Sequence, residues 1–277
     1  MARPAARAQK GLGSVVLTLL TWLGALAMFA PVFWMVLTSF KTENDAIALP
    51  PKLFFTPTLE HYSQAFSSGF VDFLINSLIA TGVSTAIVIV LAVPAAYALA
   101  VRPVKKWRDV LFFLISTKMM PLAAGIVPLY LVARELSLLN TTTLLVIVYV
   151  SMNLPLAVWM IRSFMAEIPR EVFDAVKVDG AGKFREIITI VVPLIRPGIA
   201  ATALLCGIFA WNEFFLAVNL TTTNSTLPVF LQKFLSFGRL YNAQVAAVAT
   251  LVNLPVVLAG WLAQKSLTRG LTFGAVR

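Results

Sequence analysis

Apolar residues fall into six long runs, about 14–37, 73–101, 110–133, 138–161, 198–220 and 243–263, and the segments between them hold nearly all of the charge. Each run is 21 to 29 residues long. About 20 residues rising ~1.5 Å each cross a hydrocarbon core of ~30 Å, so the pattern predicts six transmembrane helices. Five of the six runs contain proline (Pro31, Pro94, Pro121 with Pro128, Pro155, Pro255), and each proline removes a helical hydrogen bond and permits a kink. The first run includes Ala25-Leu26-Ala27, which imitates a signal-peptide cleavage site, but apolar residues continue past it and an uncleaved first span is expected.

Composition narrows the class. Of 277 residues, 59% are apolar and 12% charged, with a mean hydropathy of +0.87, which excludes a soluble globular domain and a disordered chain. One cysteine, Cys206, and one histidine, His61, exclude an intrachain disulfide, a Cys/His zinc cluster and a Cys–His nucleophile pair. The net charge of +10 comes from short basic groups between apolar runs, so it reads as a topology signal and not as nucleic-acid binding. With the N-terminus inside, the cytoplasmic segments hold 16 Lys and Arg and the opposite side holds five. The expected fold is therefore an all-α integral membrane protein with six transmembrane helices in N-in/C-in topology, a single domain over 1–277. Its parts are a cytoplasmic N-terminus (1–13), an ordered extracytoplasmic loop (40–72), a cytoplasmic loop (162–197) between spans four and five, and a cytoplasmic tail (264–277).

The loop 162–197 is the most informative stretch. Pro169 suits the first turn of a helix, Glu171 and Asp174 suit its positive end, and Asp179-Gly180 is a natural stop. Val172, Phe173 and Val176 form one apolar face, with Arg170, Glu171, Asp174 and Lys177 around the rest. A second helical piece, 184–192, runs to Pro193. An interfacial helix resting on lipid headgroups would be strongly cationic, whereas this loop carries five acids beside six basic residues. Mixed charge with one apolar stripe suits a groove in a cytoplasmic protein partner.

These residues resemble the EAA motif of bacterial ABC importer permeases. Asp174-Ala175-Val176, Gly180, Ile190, Val192 and Pro193 align on it without gaps, four of seven positions matching literally, with Asp174 one methylene shorter than the usual Glu. Asp179-Gly180-Ala181 resembles the carbohydrate-importer version of the loop. Ser39-Phe40-Lys41-Thr42, Trp211-Asn212-Glu213-Phe214, Gly270-Leu271-Thr272 and Gly274-Ala275-Val276 resemble the smaller (second) permease subunit of maltose-type transporters. The resemblance implies a heterodimer with a second permease subunit, a cytoplasmic ATPase dimer and an external solute-binding protein in a bacterial plasma membrane. ATP and Mg would be bound by the ATPase, not by this chain. Glu171, Asp174, Ala175, Lys177, Asp179, Gly180, Ala181 and Phe184 are then expected to couple to the ATPase. In the tail, Gly270, Leu271, Phe273 and Gly274 would dock between the two ATPase subunits, with the glycines allowing an irregular backbone.

Within the membrane, Lys118 and Glu213 are costly charges, at least ~2.5–3.5 kcal/mol each on insertion scales, so both should face protein or a water-filled cavity. Lys118 either lines the solute path or meets a structural partner, Glu213 being one candidate. Met119, Asn153, Trp211 and Asn212 are further path candidates, and the polar ones serve equally well as helix-packing contacts. Thr117-Lys118-Met119-Met120-Pro121 with Leu138-Leu139-Asn140-Thr141 resembles the polyol (mannitol or sorbitol) importer subset. Gly180-Ala181-Gly182-Lys183 imitates a phosphate loop, but its glycine spacing is too short and Phe184 replaces the Ser/Thr. No catalytic or metal site is expected. The competing readings are an ion- or proton-coupled secondary transporter using Lys118 and Glu213 as a relay, for which inverted repeats are lacking, and a membrane scaffold, which leaves both charges unexplained.

Overall fold

The computed structural model describes residues 12–101, 104–178, 180, 182–235 and 242–272. Every regular element among them is helical: α1 (Leu12–Ser39), α2 (Glu43–Ala46), α3 (Glu60–Ser67), α4 (Phe70–Ala100), α5 (Trp107–Thr117), α6 (Leu122–Glu135), α7 (Thr142–Ala166), α8 (Arg170–Val178), α9 (Lys183–Glu186), a π-helical turn (Ile187–Val191), α10 (Val192–Leu194), α11 (Arg196–Trp211), α12 (Phe215–Leu220), α13 (Leu227–Gln232) and α14 (Asn242–Thr272). Four helices are long and apolar enough to cross a membrane, and six spans result if each of two bent pairs counts as one.

The chain packs as two compact units. The first holds residues up to Ala65 together with the start of α14. Its loop is ordered by specific contacts. Thr42 caps α2, the Glu43 carboxylate accepts hydrogen bonds from the Ala243 and Gln244 amides, and the Ser39 and Tyr62 hydroxyls lie 2.6 Å apart. Lys41 is buried with its ammonium 4.3 Å from the Trp34 ring centre and 5.3 Å from that of Phe55. Lys52 pairs with Asp45 at 2.6 Å, and this ammonium together with the Thr42 hydroxyl holds the Asp45 carboxyl below the usual carboxylate range.

The second unit is built on α4 against α7, with α11 packed on both. The pairing follows from side-chain size. Ser77, Ala80, Ser84, Val88, Ala92 and Ala96 recur every three or four residues along α4 and are all buried, so small side chains let the backbones approach. Leu145, Val148, Tyr149, Ala157, Val158, Ile161 and Met165 of α7 complete two apolar cores.

Two expected spans are broken. The third splits into α5 and α6, bent by 84°, because Pro121 offers no N–H and disfavours helical geometry at Met120. The fifth is preceded by an 82° bend at Ile195, where α10 stops and Pro197 opens α11, and α11 itself ends at Trp211 instead of running to Leu220.

Candidate functional site

The loop between α7 and α11 folds as the sequence suggests, with one correction. Gly180 has φ +68°, a left-handed conformation that glycine adopts without strain, and a Cβ there would meet nothing within 4 Å. The apolar stripe of α8, expected to face a partner, faces this chain instead. Phe173 and Val176 are buried, and Phe173 packs with Ile161 and Met165 in the core of the second unit. A covalently attached core is always the nearest place to bury a stripe. What remains outward is Glu171, Asp174, Ala175, Val178 (88% exposed), Gly180 and Phe184 (80% exposed). Asp179, Ala181 and the side chain of Lys177 lie outside the described residues. Behind this surface Glu186 is buried, with Oε1 lacking a hydrogen-bond partner, at the start of the π-helical turn. The tail also departs from expectation, since α14 is helical through Gly270 and Leu271 to Thr272, so the backbone at Gly270 is regular. Phe273 and Gly274 lie outside the described residues.

The break in the third span places Lys118 at the C-terminal end of α5, where the negative end of the helix dipole favours a cation. Its ammonium donates to the Met152 carbonyl at 2.9 Å and lies 5.6 Å from the Phe209 ring centre. That carbonyl is in the turn loosened by Pro155. Met119 is 81% exposed, and Asn212, exposed, caps the end of α11 three residues after Phe209, on the same side.

The ion pair between Lys118 and Glu213 does not form; among the described residues Glu213 pairs with no cation. Glu213 is buried and its carboxylate caps α12, accepting from the Leu216 amide at 2.8 Å and the Ala217 amide at 3.1 Å. Trp211 donates its indole N–H to the Val252 carbonyl, and Asn153 donates to the Cys206 carbonyl. These three residues, expected on the solute path, are buried and each bonds to backbone groups, while the Oδ1 of Asn153 is left with no hydrogen-bond partner. Asn212 donates to the Ile208 carbonyl and stays exposed.

Asn140 is a framework residue whose structural role sequence reasoning missed. At φ +59°, its Oδ1 accepts from the amides of Thr222, Thr223 and Asn224, its Nδ2 donates to Thr223, and its own amide donates to the Leu220 carbonyl. It ties the α6–α7 turn to the loop after α12. The signal available was an Asn between two helices, a residue type tolerant of the left-handed region, with the polar run 221–224 as its partner.

Residues 89–272 match the family described as the binding-protein-dependent transport system inner membrane component. The chain is 38% identical over 258 residues to a probable ABC transporter permease protein of Sinorhizobium fredii, covering 91% of this chain and 92% of that protein. It is 34% identical over 251 residues to a sulfoquinovosyl glycerol transport system permease protein of Agrobacterium fabrum, covering 89% and 88%. Its fold matches a chain in the crystal structure of a bacterial ABC transporter involved in alginate import, with a TM-score of 0.74 and 22% identity over 96% of this chain and 100% of that one. A helical fold of that kind, several apolar spans and a family match over most of the length agree: the chain belongs to the binding-protein-dependent transport system inner membrane components and is a multi-pass inner-membrane permease of an ABC importer.

Proposed function

We propose that this permease moves a sugar or sugar alcohol inward by ATP-driven alternating access, as the smaller permease subunit of a heterodimer. A relative of 34% identity is named for transport of a glycoside, sulfoquinovosyl glycerol, and the segment around Lys118 resembles polyol importers. The solute path in this reading uses the exposed groups at the break, Lys118 and Met119, with Phe209 and Asn212 on α11. An aromatic face, an amide and an ammonium are suited to a polyhydroxylated solute. The EAA-type loop is the coupling element on the cytoplasmic side. It presents Glu171, Asp174, Ala175, Gly180 and Phe184 to a separate ATPase, and α8, anchored in the core through Phe173, transmits the stroke to α7 and α11. An external binding protein delivers the solute.

The observation that carries this reading is the anchoring of α8: a helix fixed to the core on one face and charged on the other can pass a partner's motion to the spans. The ion-coupled alternative is not favoured, because the Glu213 carboxylate is engaged by helix amides and has no contact with Lys118. The test is reconstitution with the partner permease, ATPase and binding protein, with uptake measured for mannitol, sorbitol, a disaccharide and glycerol phosphate. Uptake should require ATP and every component, and one polyhydroxylated solute should stimulate hydrolysis. Uptake driven by an ion gradient without ATP would overturn the reading.

A further inference from the structure

At the end of the bundle where α4 and α7 stop and α5 and α8 begin, a cavity of about 570 Å³ opens among them. Its floor is apolar and buried, formed by Leu99, Met165 and Phe173. Its polar lining is mostly of one sign, with Lys105, Arg162 and Arg170 set against the single carboxylate of Asp174. Among the described residues no carboxylate forms an ion pair with any of the three cations. The Arg162 guanidinium lies 3.8 Å from the centre of the Trp107 ring, the Arg108 guanidinium 5.3 Å from the same ring, and Arg162 Nε is buried with no hydrogen-bond partner. Two guanidinium groups thus share one indole, Arg162 forms no ion pair among the described residues, and its desolvated Nε–H has no acceptor. Such an arrangement is costly unless an anion completes it.

The depth of the cavity says which anion. Ala100 and Ala166 are the last residues of two candidate spans and both line it, so it opens at the end of those spans, where the chain leaves its apolar helices. Basic side chains and an indole at that level, above an apolar floor, match the layering of a phospholipid: phosphate outward, glycerol and acyl chain inward. A free inorganic anion would use the basic rim and leave the apolar floor empty. We propose that this cavity binds the headgroup of an anionic phospholipid, with its phosphate against Arg162 and Lys105 and its glycerol and first acyl carbons over Leu99 and Met165. Arg170 is the first residue of α8, so the bound lipid also braces the base of the coupling helix against α5 and α7. Bilayer composition then sets how firmly that helix is held.

The experiment uses the assembled transporter in nanodiscs of phosphatidylcholine with increasing phosphatidylglycerol. Native mass spectrometry counts retained lipids and ATP hydrolysis is read in parallel. The native protein should retain phosphatidylglycerol in preference, and the preference should fall about fivefold for each cation removed in Lys105→Gln, Arg170→Gln and Arg162→Gln. Arg162→Lys, which keeps the charge, should retain most of it. If Arg162→Gln fails to fold, the Lys105→Gln/Arg170→Gln pair decides the matter. Equal retention of the two lipids by the native protein, or an unchanged preference in that double variant, overturns the proposal. Displacement of phosphatidylglycerol by excess inorganic phosphate makes the cavity a soluble-anion site and also overturns it. Loss of the ATPase subunit from Lys105→Glu with lipid retention unaltered assigns the cavity to a protein partner, with the same consequence.

Discussion

Gly198, the third residue of α11, offers a quantitative probe of how the spans meet the loop between α7 and α11. A Cβ at this position would fall within 2.9 Å of three carbons of the Phe164 ring, near the end of α7. Carbon atoms pack at ~3.5–4.0 Å, so Gly198→Ala must displace the ring or the helix. The ring packs on the core of the second unit on one side and lines a groove with Pro169 and Val172 at the start of α8 on the other, so it can yield only towards that groove. Overpacking of this kind costs about 1–3 kcal/mol, equivalent to an apparent melting shift of about 2–10 °C for a chain of this size. Scanning fluorimetry of the solubilised complex should show that loss, and solute-stimulated ATP hydrolysis should fall with it because α8 shares the displaced ring. Trimming the ring tests the cause. Phe164→Leu combined with Gly198→Ala should recover part of the stability, with a non-additive coupling of about 0.5–3 kcal/mol. If Gly198→Ala melts like the native protein, or if the two changes simply add, the close approach of α11 to α7 is not what holds this junction.

Three further outcomes are expected. Gly180→Asp puts a side chain on a backbone at φ +68°, adding strain of about 1–3 kcal/mol; the spans should insert while ATPase association or stimulated hydrolysis drops, with Asp174→Ala milder, and native assembly and transport rates would remove the loop from the coupling role. Lys118→Met loses one charge-assisted hydrogen bond to the Met152 carbonyl and should change stability by no more than about 3 kcal/mol while reducing solute uptake; normal uptake with unaltered solute preference would make Lys118 a structural residue. Glu213→Ala leaves the Leu216 and Ala217 amides unpaired and should destabilise the complex by about 2–5 kcal/mol, with Glu213→Gln, which keeps one acceptor oxygen, losing less; native stability with altered solute preference would return Glu213 to the solute path.

What the sequence discloses and what it conceals divide along one physical line. Hydrophobic runs, the Gly180 stop and the short helix after Pro169 depend on the local chain, and their placement follows from local chemistry. The breaks do not. Pro31, Pro94, Pro128, Pro155 and Pro255 all sit inside continuous helices, whereas Pro121 ends one. The difference at Pro121 lies in its surroundings: the Ser116 and Thr117 hydroxyls bond back to the Phe113 and Leu114 carbonyls, and Lys118 reaches the distant Met152 carbonyl, so the last turn of α5 finds its partners off the helical ladder. The same holds for Glu213, whose charge is legible in the sequence but whose partners are amides freed by a break that the sequence does not announce. It holds for α8 as well, where periodicity finds an apolar face and says nothing about which surface covers it. That last ambiguity bears on mechanism. With Phe173 and Val176 buried, the proposed recognition by an ATPase would fall to the charged rim and to the exposed Val178 and Phe184. In that proposed role the stroke would reach the spans through the buried stripe itself, so the face that resembles a docking surface in the sequence would be the mechanical link between the loop and the membrane helices.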